Sequence, residues 1–430
     1  MSVEGLKAIL AKEPVVGTQA AETICQNPQV VEDAYLRHVR SFVPLGRVAQ
    51  GHDDTLTVAA FERRVIELVK KGAAPTGYVT ADYGYGKTST CLYLWERCTA
   101  ANLLAVPPFQ LVALPDLLAV THAWVRYCIG KRAPALVGKA DEIQARYVAQ
   151  SVAAMAGDDA GRLAILQDLR ARGQLLLDLP GIRYVGFLEE MTALALEAGF
   201  DGLVVIADEI QQYLDPAIKG GSADPTAALF DIVQGMITRQ GTLRCGLILS
   251  IPRVSLTVLN DRRGDLVQRL KAHGLGFDLL TVYGPGFATE LWEHLTRAFD
   301  CQEEATRVLG PDTLDALGQI AARPELANGP RTVVSAFSAL IARHFAQGGA
   351  PATPFDLVDA FLSGAIAFDG SSTLQTVINR CLATPLVSER AERGRAIRLL
   401  AAFPTFGCTR GVLERYGLQE TADELASGGQ

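Results

Sequence analysis

Lys87 and Thr88 end an eight-residue run, Ala81-Asp82-Tyr83-Gly84-Tyr85-Gly86-Lys87-Thr88, in which a small residue and four free positions precede Gly-Lys-Thr. That spacing suits the binding of linked phosphates. Gly84 and Gly86 let the backbone turn inward, so that consecutive N–H groups face anionic oxygens. A helix opening at Lys87-Thr88-Ser89 adds its positive end to the same anion. Lys87 would reach the β- and γ-phosphates, and the Thr88 hydroxyl would complete the shell of a Mg²⁺ ion. The candidate contacts are therefore Ala81, Asp82, Tyr83, Gly84, Tyr85, Gly86, Lys87, Thr88 and Ser89. Ala81 replaces the glycine of the strict pattern. A chance glycine-rich turn is the plain alternative, and a dinucleotide fingerprint fits less well because positions 84–89 lack its third glycine.

A second run carries matching chemistry. Gly202-Leu-Val-Val-Ile-Ala-Asp208-Glu209 is uninterrupted apolar sequence ending in two carboxylates, the pattern of a strand buried on both faces of a parallel sheet. Asp208 is placed to hold the Mg²⁺ shell through water. Glu209 is the candidate to polarise an attacking water. Another buried strand, around 243–250, ends at Ser250, where a polar side chain can meet a γ-phosphate or that water. Any one of these strands alone is ordinary core. Together with the loop they define a nucleotide-binding chain.

The elements that must position these residues follow from periodicity. A strand at about 78–80 leads into the loop, and helical spacing in 56–71 precedes it. A second strand lies within 107–115, and a helix over 116–129 follows. Residues 130–200 read as a helical insertion, 277–282 as a last strand, and everything from 290 onward as helices. Pro330 suits a first helical turn. Arg331 beside it could reach a phosphate, although an exposed arginine near a helix start is equally ordinary. The expected domains are an N-terminal helical segment over 1–75, the phosphate-loop core over 76–285, a helical lid over 286–368 and a C-terminal part over 369–430. In that last part seven Arg stand against three Glu between Ser371 and Arg415, with helix–turn–helix proportions. A lid helix with a solvated face explains the basic island equally well.

Composition bounds the rest. The chain has 430 residues, 49% of them hydrophobic and 20% charged, enough for a large core in more than one domain. A net charge of −7 speaks against a surface coated for nonspecific nucleic-acid binding. Eight cysteines show no CxxC or metal-ligand spacing, as expected of free thiols in a reducing cytoplasm. The first residues lack the apolar core of a signal peptide. Pro107, Pro108 and Pro115 interrupt the single stretch apolar enough to suggest a membrane span.

The order of these features resembles that of AAA+ ATPases, in particular the origin-recognition-like and STAND branches, over about residues 45–416. More narrowly, ADYGYGKTS, VPPFQL, VIADEIQQYL and NGPRTVVSAF look like the large ATPases of bacterial BREX (bacteriophage-exclusion) defence systems, of which this chain would match an N-terminal ATPase portion. The resemblance implies a three-layer α/β P-loop NTPase fold of AAA+ type with a helical insertion, a helical lid and a helix–turn–helix-like end. It implies ATP and Mg²⁺ as ligands, with Ser250 as a first sensor in place of the more usual Asn and Arg331 as a second. Arg269 matches an arginine finger given to a neighbouring subunit. The implied activity is ATP hydrolysis coupled to conformational change or assembly in the cytoplasm. Self-association, partner proteins of a defence complex and DNA are the candidate partners, with no membrane. An ATP-locked scaffold or signalling switch with little hydrolysis is the alternative.

Overall fold

The computed structural model describes residues 2–10, 18–42, 57–155, 184–214, 225–279, 284–322 and 330–362, with isolated positions between 161 and 167 and between 414 and 423. Most of the helix–turn–helix-like end over 369–430 lies outside them. The chain forms two compact units. One comprises Val16–Asp82 and Lys87–Leu279, the other Met1–Val15, Tyr83–Gly86 and Leu280–Gln430.

The larger unit is built on a six-stranded parallel sheet. Its strands are β1 (Gln19–Ala20), β2 (Thr76–Ala81), β3 (Leu104–Gln110), β4 (Leu203–Asp208), β5 (Cys245–Pro252) and β6 (Gly276–Asp278), arranged in the order β1-β3-β4-β5-β2-β6. Every residue of β2, β4 and β5 is buried, because helices cover both faces and leave no solvent side for a polar alternation. Helix Lys87–Ala100 follows β2 and packs on β3, with helices Val58–Lys70 and Pro28–Phe42 beside it. Helix Tyr184–Glu197 packs on β4 and β5, and helices Pro225–Ile237 and Arg253–Leu270 pack on β2. This is a three-layer α/β fold, consistent with a phosphate-loop NTPase architecture.

Three details depart from the periodicity reading. β3 starts earlier than expected and ends at Gln110, so Pro115 lies in the first turn of helix Leu114–Arg132. Pro107 and Pro108 lack the N–H a ladder needs, and the β3–β4 register shifts between Val106 and Phe109. β1 is a two-residue strand within a segment that reads as helical, too short to show an alternation.

The described residues of the smaller unit are mostly helical. Ser2–Leu10, Phe287–Ala298, Gln302–Val308, Pro311–Ala321, Pro330–Ala346 and Pro354–Leu362 pack together, with a parallel bridge between Leu309 and Ala352. Trp292 and Phe337 meet in its core at 4.9 Å between ring centroids. Among the described residues, no helix of either unit is long and apolar enough to cross a membrane.

Gly77 shows how tightly β2 is held. A Cβ there would lie 2.5 Å from Leu275 Cβ and 2.7 Å from the Leu275 carbonyl oxygen, just before β6. Backbone cannot swing aside as a flexible side chain does, so β6 would have to retreat. Gly77→Ala is expected to lower stability by about 1–3 kcal/mol. Thermal unfolding that matches wild type would contradict this account of the β2–β6 seam.

Candidate functional site

The carboxyl ends of β2, β4 and β5 supply the candidate residues, at the place where such sheets receive ligands. Past β2, Gly84 and Gly86 take φ of +86° and +89°. A Cβ at Gly86 would meet nothing within 4 Å, so the backbone conformation, not space, selects glycine there. Lys87 is the first residue of its helix and is buried. Its ammonium donates to the carbonyls of Ala81 at 3.2 Å and Asp82 at 3.1 Å. Burial lowers the Lys87 pKa, and Asp208, Glu209 and Asp82 push it back up.

Asp208 is 1% exposed at the end of β4. Its Oδ2 accepts from the Thr88 hydroxyl at 2.8 Å and from the Thr18 hydroxyl at 3.0 Å, and its Oδ1 accepts from the Glu209 amide at 2.9 Å. A hydroxyl beside a carboxylate is a hard-oxygen donor pair of the kind Mg²⁺ takes, with phosphate and water supplying the remainder. The residues therefore fit such an ion. Glu209 adopts φ +53°, a left-handed conformation uncommon for a residue with a side chain. Its carboxylate accepts a hydrogen bond from the Gln211 amide.

Ser250 pairs in register with Val79 of β2, and Leu249 before it pairs with Ala207, which sets Ser250 level with Asp208. Its hydroxyl is fully buried and has no oxygen or nitrogen partner among the described residues. The thiol of Cys91 on the phosphate-loop helix is its polar neighbour. Arg269 lies elsewhere. Its guanidinium carbon sits 4.5 Å from the centroid of the Phe230 ring, with that of Arg263 at 4.7 Å from the same ring. Arg331 is exposed in the first turn of helix Pro330–Ala346, in the smaller unit.

The larger unit thus brings Ala81, Asp82, Lys87, Thr88, Asp208 and Glu209 together, with Ser250 beneath them. It also adds residues that the sequence reading did not single out. Arg253, immediately past β5, donates to Asp82 at 2.8 Å and to Asp278 at 2.6 Å, tying the ends of β2, β5 and β6. Its place just beyond the Ser250 strand was the signal that could have found it. Thr18 and His38 had none. His38 is buried on helix Pro28–Phe42 and meets the Ser89 hydroxyl at 3.2 Å.

No family model matches this chain, and no curated protein matches it. Among solved structures it is similar to the Aeropyrum pernix ORC2 protein, determined as ADPNP and ADP complexes, at 16% identity over 86% of this chain and 85% of that one, with a TM-score of 0.42. So distant a likeness carries nothing about chemistry. The class defined by the fold and site geometry is a parallel three-layer α/β protein in which the helix after β2 bonds a buried carboxylate at the end of β4.

Burial pushes the His38 pKa down to about 4 from an ordinary 6.5. The unfolded chain takes up this proton first, so the stability that His38 contributes is complete above about pH 6.5 and is lost as pH falls toward 4. His38→Gln is expected to remove on the order of 3 kcal/mol of that acid sensitivity. Thermal melts of both proteins between pH 7 and 4 provide the check, and parallel slopes would contradict it.

Proposed function

We propose that this chain binds ATP with Mg²⁺ at the carboxyl edge of its sheet and hydrolyses it, as an ATPase of AAA+ type. The observation that carries the reading is the 2.8 Å hydrogen bond from Thr88 to Asp208, which joins the loop-helix residue and the strand-end carboxylate across 120 positions of sequence. In this reading the N–H groups of residues 82–87 and the helix end surround the phosphates. Lys87 exchanges its carbonyl partners for phosphate oxygens. Thr88 and Asp208 hold Mg²⁺, which would neutralise charge on the β- and γ-oxygens. Glu209 accepts the proton of an attacking water and Ser250 senses the γ-phosphate, while a second sensor role for Arg331 is proposed from the sequence resemblance alone. Coupling to assembly, to a bacterial anti-phage defence complex of BREX kind and to DNA is proposed from the sequence resemblance, and the genomic neighbourhood tests that setting.

The contact between Glu209 and Gln211 favours a second reading, an ATP-locked scaffold, because it engages the carboxylate that hydrolysis needs. Phosphate release together with binding of a fluorescent ATP analogue separates the two. Lys87→Ala should lose binding while keeping its thermal unfolding. Glu209→Gln should keep binding and lose about 10²–10⁴-fold in hydrolysis. Wild-type binding by a folded Lys87→Ala protein would remove the phosphate-loop assignment. A wild-type chain that binds without turnover would establish the scaffold.

As an arginine finger, Arg269 would leave Phe230 and serve a neighbouring copy, a contribution of about 10³–10⁵ in rate. Mixing inactive Arg269→Ala with inactive Lys87→Ala should then restore part of the activity in a concentration-dependent way. Normal hydrolysis by Arg269→Ala alone would exclude the role.

A further inference from the structure

We propose that Thr18 is a positioning residue for the metal side of this site, its hydroxyl fixing the Asp208 carboxylate in the orientation the cation requires. The proposal rests on the nucleotide reading above and adds to it a residue outside the loop and strand motifs.

The placement of Thr18 is itself secured. Its carbonyl accepts from the Gln110 side-chain amide at 2.7 Å. The next residue, Gln19, pairs with Phe109 of β3 and donates its amide to the Tyr35 hydroxyl at 2.7 Å. That hydroxyl donates in turn to the Pro108 carbonyl at 3.0 Å. Tyr35 is fully buried, edge-on to Trp95 of the phosphate-loop helix at 6.0 Å. The Thr18 backbone is thus pinned to β3 and, through Tyr35, packed against the helix that carries Thr88.

An ionised carboxylate offers about four acceptor positions on its two oxygens. Thr88, Thr18 and the Glu209 amide take three of those at Asp208. One position remains for a water of the metal shell. With Thr18 present, Oδ2 is held by a donor that has no other duty, and Thr88 can turn its lone pair toward the cation without releasing the carboxylate. Without Thr18, one hydroxyl must do both. Partners of this kind, one step removed from the ion, typically change metal affinity 10–100-fold when removed.

The test follows binding of a fluorescent ATP analogue to the full chain as Mg²⁺ is titrated. Thr18→Val keeps the side-chain shape and removes the hydroxyl. It should raise the half-saturating Mg²⁺ concentration about 10–100-fold, with analogue affinity in EDTA unchanged and the chain still folded at the assay temperature. Thr18→Ser should restore the wild-type midpoint. Gln110→Leu, which frees the Thr18 carbonyl, should shift the midpoint in the same direction by less. A wild-type midpoint in folded Thr18→Val, or an equal loss of affinity in EDTA, would overturn the proposal. If Thr18→Val fails to fold, a wild-type midpoint in Gln110→Leu overturns it instead. A wild-type chain that gains no affinity from Mg²⁺ would overturn the nucleotide reading itself and this inference with it, an outcome seen before any variant is made.

Discussion

A buried carboxylate at the end of a central strand must be supplied with donors, and Asp208 dictates much of what surrounds it. At 1% exposure it has no solvent to solvate its charge, and an unpaired ion in such a place is prohibitively costly. The three donors come from three separate parts of the chain: the helix after β2, the residue before β1 and the backbone that leaves β4. The hydrogen bonds therefore report that the helix after β2, the edge strand and the central strand have all docked in one register. Slip any of them by one residue, and the carboxylate loses a partner.

A second tie closes the other side of the loop. Arg253 bridges Asp82 and Asp278 and also donates to the Leu279 carbonyl at 3.3 Å. β5 and β6 flank β2 on opposite sides, so this guanidinium spans the end of the strand that launches the loop. It is about one-third exposed, which limits what its ion pairs add to stability. Its main effect is geometric. It fixes the direction in which Asp82 leaves the sheet.

Much of this was legible in the sequence wherever residue type and spacing encode backbone requirements. The glycines at 84 and 86 and the apolar run into Asp208 each state a local conformation in the residues themselves. Thr18 and His38 were not legible, because their roles come from how distant elements pack and not from spacing. Thr18 and Asp208 are 190 positions apart, and only the insertion of β1 beside β3 brings them into contact. Arg269 illustrates the reverse case. Its sequence position suggests a role toward a neighbour, while Phe230, 39 residues earlier in the chain, holds it through a cation–π contact that no local pattern announces.

The charge balance around the loop bears on what such a site can hold. Among the described residues, Lys87 and Arg253 are its cations, and Asp82, Asp208, Glu209 and Asp278 are its carboxylates. The side chains alone therefore present an excess of negative charge to an incoming polyphosphate. Helix N–H groups offset part of that repulsion, yet a helix end amounts to only about half a charge. Two like charges 4 Å apart still repel by about 4 kcal/mol at the dielectric typical near a protein surface. Lys87 cannot settle the balance, since it already faces three of the four carboxylates. A divalent cation entering with the phosphates would settle it, through the one acceptor position left on Asp208. On these charges, the proposed nucleotide site would depend on the strand-end carboxylate and the cation beside it as much as on the loop.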